Sequence, residues 1–327
     1  MFLSLQLVAF ATTGCHSCHP AEPSVHPGLV AVLEHPDGLH VIRRVGDDWH
    51  QEKLLPISAR ALRFSPNGSA VAWVQDENEG RGFVPRGYVQ GWKDASPRPL
   101  GTLGLRKRQA MGLAVANNGR VVFLNEAGDL VEAGAGRRIA RGTEVILGDR
   151  GELVYVDDKG CLVDDAGLFQ SHCDNETRPL ELTAGLLLAR DNELLLQIAE
   201  TTRADRYTGI LDAHSWHRGH RILLLRRSND GPVPLDVVTV LRPQLIPREV
   251  AHAPIIVSAR FDGDGGILIV RVPLRKDVYQ QILAHAPDEF GGEILWGEAV
   301  RITPERFEEK SIPGLETEHV RALFYAR

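Results

Sequence analysis

"ALRFSPNGSAVAWVQ", residues 61–75, is the stretch on which the reading of the fold turns. An apolar run ends in Ser65-Pro66-Asn67-Gly68, and a second apolar run follows at once. Pro fixes its own φ, Asn bonds its own backbone and Gly accepts positive φ. The four residues therefore read as a tight turn between two antiparallel strands. The same strand–turn–strand pattern recurs along the chain. It appears in "LVAVLEHPDGLHVIRRV" (29–45), "GLAVANNGRVVFLNEAGDLVEAG" (112–134) and "EVILGDRGELVYVDDKGCLVDDAG" (144–167). It returns in "GLLLARDNELLLQIAE" (185–200), "RILLLRRSNDGPVPLDVVTVL" (221–241) and "VSARFDGDGGILIVRV" (257–272).

Imperfect units of roughly forty residues, each made of short strands, are the pattern of a β-propeller. One blade cannot bury both of its faces, and stacking around an axis solves that problem. The turn centres predict an all-β chain with about seven irregular blades over residues 28–327; six and eight also fit the spacing. Two β-sandwiches would also show short strands, but they explain the repetition less well. "HVRALFYAR" (319–327) alternates like a strand and is expected to pair with the first blade and close the ring. "TPERFEEK" (303–310) carries the Pro and acids of a short helix start.

The stretch Leu62–Val74 resembles the repeat of TolB-type bacterial propellers, in which a strand ends in Phe-Ser-Pro-Asp/Asn-Gly and a second apolar strand follows. Leu113–Leu124 and Ser258–Val270 resemble it more loosely. The close likeness, Leu62–Val74, covers one repeat, under a tenth of the chain. It implies the propeller fold and an envelope setting; a fold of this kind hosts many activities.

The 327 residues carry a net charge of −6, and charged residues are spread through the chain at 24%. This composition argues against disorder and against nucleic acid as the main partner. The short basic clusters Arg106-Lys107-Arg108, Arg137-Arg138 and Arg226-Arg227 read as solvated faces. After residue 20 no apolar run is long enough for a membrane helix.

The N-terminus poses its own question. "FLSLQLVAFA" (2–11) reads as the apolar core of a signal peptide, and "ATTGCHSCHP" (11–20) follows it. No Lys or Arg precedes the run, and Thr12 stands where lipoprotein signals usually carry Leu. Residues 1–14 are expected to be a lipoprotein-like signal, Cys15 the lipidated residue and 15–27 a Pro-rich tether. An ordinary buried first strand is the plain alternative. The same stretch spells C-x-x-C-H. Cys15 and Cys18 have the spacing that attaches haem c, with His19 as an iron ligand. Pro20, Pro23 and Pro27 follow, and strands begin soon after, so the helical domain a haem c needs is missing from the pattern. The expectation is no cofactor, with haem c as the alternative.

Other candidate sites are few. Cys161 and Cys173 are twelve residues apart and suit a local disulfide in an exported chain; two free buried thiols are the alternative. His214, His217 and His220 recur every third residue beside Asp212 and would converge on Zn²⁺ if helical. Gly219 and the apolar run that follows favour a polar loop instead. Asp262–Gly266, "DGDGG", has too few oxygen ligands for calcium and reads as a turn. The segment "QDENEGRGFVPRGYVQGW" (75–92) holds Phe83, Tyr88, Trp92, Arg81 and Arg86, residue types enriched at binding hot spots. They would equally complete an outer strand. No nucleophile elbow, zinc-protease motif, Walker motif or dinucleotide fingerprint occurs.

These features predict a non-enzymatic binding or scaffolding module, exported and membrane-anchored at the bacterial cell envelope. Its contacts would be made by blade loops to a protein or envelope component, and it would touch membrane only through the lipid anchor. The alternatives are a haem c redox protein and a propeller hydrolase with acids facing a central channel.

Overall fold

The structure is a computed structural model. It describes residues 28–80, 82–103, 112–165, 173, 177–182, 185–190, 192–198, 201–216, 220–230, 234–242, 246–272 and 297–326. The signal segment 1–14, the tether 15–27 and Cys15, Cys18 and His19 lie outside the described residues, as do Arg81 and His217. Among the described residues there is no helix, only strands and turns.

The strands form six antiparallel sheets arranged as a β-propeller. The first sheet joins β1 (Gly28–His35), β2 (Gly38–Val45) and β3 (Asp48–Leu55) to the C-terminal β26 (Val320–Ala326). The second contains β4 (Arg60–Phe64), β5 (Ala70–Asn78), β6 (Phe83–Gly91) and β7 (Arg98–Thr102). A six-stranded sheet follows: β8 (Leu113–Val115), β9 (Val121–Leu124), β10 (Asp129–Glu132), β11 (Arg137–Leu147), β12 (Leu153–Asp157) and β13 (Leu162–Asp164). Three four-stranded sheets complete the ring. They are β14 (Thr177–Leu182) with β15 (Leu186–Arg190), β16 (Glu193–Ile198) and β17 (Thr201–Arg206); β18 (Ile210–Trp216) with β19 (Arg221–Ser228), β20 (Leu235–Leu241) and β21 (Arg248–Ala253); and β22 (Ile256–Phe261) with β23 (Ile267–Arg271), β24 (Glu298–Ile302) and β25 (Glu309–Ser311).

The six-stranded sheet holds two successive blade units. Arg137–Arg141 of β11 pair with β10, the register then shifts, and Gly142–Leu147 pair with β12. One strand thus ends one unit as its outermost member and opens the next as its innermost. The expectation of about seven units appears as six sheets, one of them double.

Pairing of β26 with β1 closes the ring, with Ala31 opposite Leu323 and Val30 opposite Phe324. Alternation along each strand sends apolar side chains into the spaces between blades. Between the first and second blades lie Val30, Val32, Leu39, Val41, Val71, Trp73 and Ala326. Between the last two lie Leu223, Val238, Phe261, Ile269 and Ile302. The predicted helix at 303–310 is instead a turn. The Phe307 N–H donates to the Thr303 carbonyl at 3.0 Å, and the Glu308 N–H donates to Thr303 Oγ1 at 3.1 Å. The Thr303 N–H donates back to the Glu308 carbonyl at 2.9 Å and Phe307 sits at φ 58°, so the single turn closes as a chain reversal and does not propagate.

The Ser65–Ser69 turn does more than reverse the chain. Ala70 N–H donates to Ser65 Oγ at 3.0 Å, and Ser69 N–H to Asn67 Oδ1 at 2.9 Å. Gly68 sits at φ 67°, and a Cβ there would lie 2.8 Å from the Arg43 guanidinium and 3.0 Å from Ala326 Cβ. Only Gly meets both demands. Arg43, 2% exposed, bonds Glu52 at 2.7 Å and the Gly68 carbonyl at 3.3 Å. A buried arginine of the first blade thus grips the turn of the second.

Candidate functional site

Each blade's innermost strand has one edge with no strand beside it, and its N–H and C=O groups there need partners. On β18 and β22 polar side chains from the preceding blade supply them. The Ser215 N–H donates to Glu181 Oε2 at 2.6 Å. Arg178 donates to the carbonyls of Ile210 at 2.7 Å and Leu211 at 3.1 Å. The Phe261 N–H donates to His214 Nδ1 at 3.2 Å, and the Ile256 N–H to Asp236 Oδ2 at 2.8 Å. Two further contacts run between the same strands: His214 Nε2 lies 3.1 Å from Glu181, and Arg260 pairs with Asp212 at 2.6 Å.

The Phe261 N–H fixes the chemistry of His214. A backbone donor at Nδ1 requires a lone pair there, so the ring proton sits on Nε2 and donates to Glu181. Burial opposes the charge of Arg260, but Asp212 beside it and Glu181 near it outweigh that effect and raise its pKa. These polar groups therefore clamp inner strands of three successive blades. Glu181, Asp212 and Arg260 form no sequence motif. The one signal for them was their place, as polar residues within runs that the strand pattern makes innermost.

Of the histidines expected on a polar loop, His217 lies outside the described residues, and His214 is placed differently from that expectation. His214 lies inside β18, half-buried against Phe261, with ring centroids 5.8 Å apart. His220 is exposed in the turn that precedes β19. A strand repeats every two residues, so the three-residue spacing that suits a helix carries no common face here. Asp262 caps its own turn. Its Oδ1 accepts from Asp264 N–H at 2.9 Å and Gly266 N–H at 2.7 Å, and its Oδ2 pairs with Arg301 at 2.5 Å. Cys161 and Cys173 form a disulfide across an isolated antiparallel bridge.

The 75–92 segment is a β5–β6 hairpin arm, and its three aromatics have separate roles. Tyr88 stacks on Trp73 with centroids 5.7 Å apart, and its hydroxyl donates to Glu77. That bond to Glu77, together with burial, pushes the Tyr88 pKa up. Trp92 packs edge-on against Phe64 at 6.5 Å, within the blade. Phe83, at the arm's end, is 74% exposed. Arg86 pairs with Glu77 at 3.0 Å and with Glu79, and the Glu79 bond raises its pKa. The arm's charged groups pair with one another, and its end displays one aromatic side chain.

Blades of short antiparallel strands, a ring closed by the two ends of the described chain and a self-braced hairpin arm define this protein as a β-propeller. No protein-family model matches the chain, and no curated protein matches it. Among solved structures, TolB from Acinetobacter baumannii is 11% identical over 67% of this chain and 62% of that one, with a TM-score of 0.42. The match thus spans less than two thirds of the TolB chain. A Lactobacillus plantarum protein is 9% identical over 92% and 100%, at 0.47. A virginiamycin B lyase from Staphylococcus aureus is 12% identical over 75% and 92%, at 0.46. Likenesses of this size concern the fold alone.

Proposed function

We propose that the protein is a binding module of the bacterial cell envelope, exported and fastened through a lipidated Cys15, with Phe83 on the β5–β6 arm as a contact residue. The observation that carries this reading is the braced arm. Glu77, Glu79, Arg86 and Tyr88 bind one another and fix the hairpin that displays Phe83. Rigid display of an exposed aromatic lowers the ordering cost of binding. Glu181 and Asp212 lend a hydrolase no support, because they are already bonded to His214, Arg260 and backbone N–H groups.

Two experiments test the proposal. Site-specific photocrosslinking from position 83 in intact cells should capture one defined envelope component. Phe83→Ala should lose that component on co-purification while unfolding like the wild type. Equal recovery by both proteins contradicts the contact. Mass spectrometry of the mature N-terminus from the native host should show a diacylglyceryl Cys15. An unprocessed Met1, or haem on Cys15 and Cys18, contradicts the anchor.

A further inference from the structure

Arg221, Arg242 and Arg248 are distant in sequence but lie at one rim of the propeller. Trp216 ends β18, Arg221 opens β19, Arg242 follows β20, Arg248 opens β21, and Phe307 sits between β24 and β25. Antiparallel order puts all of these positions at the same end of the last two blades, opposite the rim that carries the β5–β6 arm. The Arg221 guanidinium lies 4.9 Å from the Trp216 ring centroid. Those of Arg242 and Arg248 lie 5.5 and 4.3 Å from the Phe307 centroid.

These three arginines differ from their neighbours in the same blade. Arg226 pairs with Glu249 and Arg227 with Asp236. Among the described residues, Arg221, Arg242 and Arg248 pair with no carboxylate; their contacts are the two rings and a 3.4 Å bond from Arg221 to the Gly265 carbonyl. Burial and the charge of Arg242 lower the Arg221 pKa, and Glu305 only partly opposes them. Like charges converging with no directly paired anion repel, and an anion from outside would relieve them. Stacking holds a guanidinium by its face and leaves its N–H edge free for two parallel bonds to an oxyanion. Phe307, which orients two of the three, sits at φ 58°, a left-handed conformation rarely adopted by a bulky residue. Strain of this kind persists where the surroundings enforce it, and it is concentrated at binding and switch sites.

We infer that Arg221, Arg242 and Arg248, held by Trp216 and Phe307, form a site for a phosphate-type oxyanion. This site is separate from the arm proposed above and stands whether or not the arm binds. Its ligand is a phosphomonoester group, either of a free small molecule or of a phospholipid headgroup.

The test uses the full chain, with glycerol phosphate and inorganic phosphate as soluble probes. Vesicles of phosphatidic acid in phosphatidylcholine serve as the lipid probe. Calorimetric titration should show saturable binding of a soluble probe, or sedimentation should show vesicle binding that pure phosphatidylcholine does not give. Arg242→Gln/Arg248→Gln should weaken that binding at least tenfold. Arg248→Lys, which keeps the charge and loses the planar fork, should fall between. Binding of the soluble probes alone identifies a free ligand, and binding of vesicles alone identifies a headgroup. No binding of any probe by the wild type overturns the inference. So does equal binding by the double variant with an unchanged unfolding curve. If the double variant fails to fold, Arg248→Gln alone, at an exposed position, carries the same comparison.

Discussion

The two rims use the same residue types to opposite effect. On the β5–β6 arm, Arg86 lies between Glu77 and Glu79, and the Tyr88 hydroxyl closes onto Glu77. At the opposite rim, Arg221, Arg242 and Arg248 lean on Trp216 and Phe307 and form no ion pair among the described residues; Glu305 acts on Arg221 only through space. Arginine beside an aromatic ring therefore does not by itself mark a binding site. What separates the rims is whether the charge is already answered within the protein. The arm is structurally complete and offers an apolar tip. The other rim is structurally complete except for its charge.

Arg43 is the extreme of the answered kind and gives the largest expected effect. Arg43→Ala would leave half-buried Glu52 without its cation and the Gly68 carbonyl without its donor. Breaking such a pair costs about 3 kcal/mol, read by urea unfolding. A loss no larger than that for Arg248→Gln would erase the distinction. Glu181→Ala comes next. It removes the acceptor of the Ser215 N–H and the partner of His214, a loss of about 2 kcal/mol. An unchanged unfolding midpoint would show that the inner-strand clamp contributes nothing.

Tyr88 tests the arm through pH. Its folded-state pKa is raised by the Glu77 bond, so the neutral phenol is the form that the fold favours. The stability it contributes is full below the unfolded tyrosine pKa, about 10, and is lost as pH rises through the folded value. Burial also raises the pKa of Tyr155 and Tyr207, so spectrophotometric titration should show several late-ionising tyrosines in the wild type, one of which Tyr88→Phe removes. Glu77→Gln should bring that ionisation earlier. No difference between these three proteins would mean that the arm is not braced as described. The smallest effect belongs to Arg248→Gln, whose unfolding free energy should stay within about 0.5 kcal/mol of the wild type. A larger loss would mean that this arginine serves the fold.

Much of the architecture is written locally. Ser65-Pro66-Asn67-Gly68 specifies its turn through bonds within five residues, so the strand–turn–strand unit was readable from sequence. The doubling of β11 was not, because it depends on a register shift near Gly142 and on which neighbours each half finds. The polar clamp was hidden for a related reason. Glu181, His214 and Phe261 meet only once three blades stand side by side. His214 was noticed for its spacing to His217 and His220, a helical spacing that a strand does not use. The rim arginines left still less trace, since Arg221, Arg242 and Phe307 are joined by topology and by no motif. Aromatic residues in 75–92 were visible as a group. Their division into two packed rings and one displayed ring follows from strand pairing with β5.

The contrast between the rims is tested most directly by thermal unfolding in phosphate against chloride at equal ionic strength, with wild type, Arg86→Gln and Arg242→Gln/Arg248→Gln compared side by side. Phosphate bound to the folded state raises its stability by mass action, while general salting effects act on all three alike. The wild type and Arg86→Gln should show the same phosphate-dependent rise in Tm, and the double variant a clearly smaller one. An equal rise in all three proteins would contradict the account.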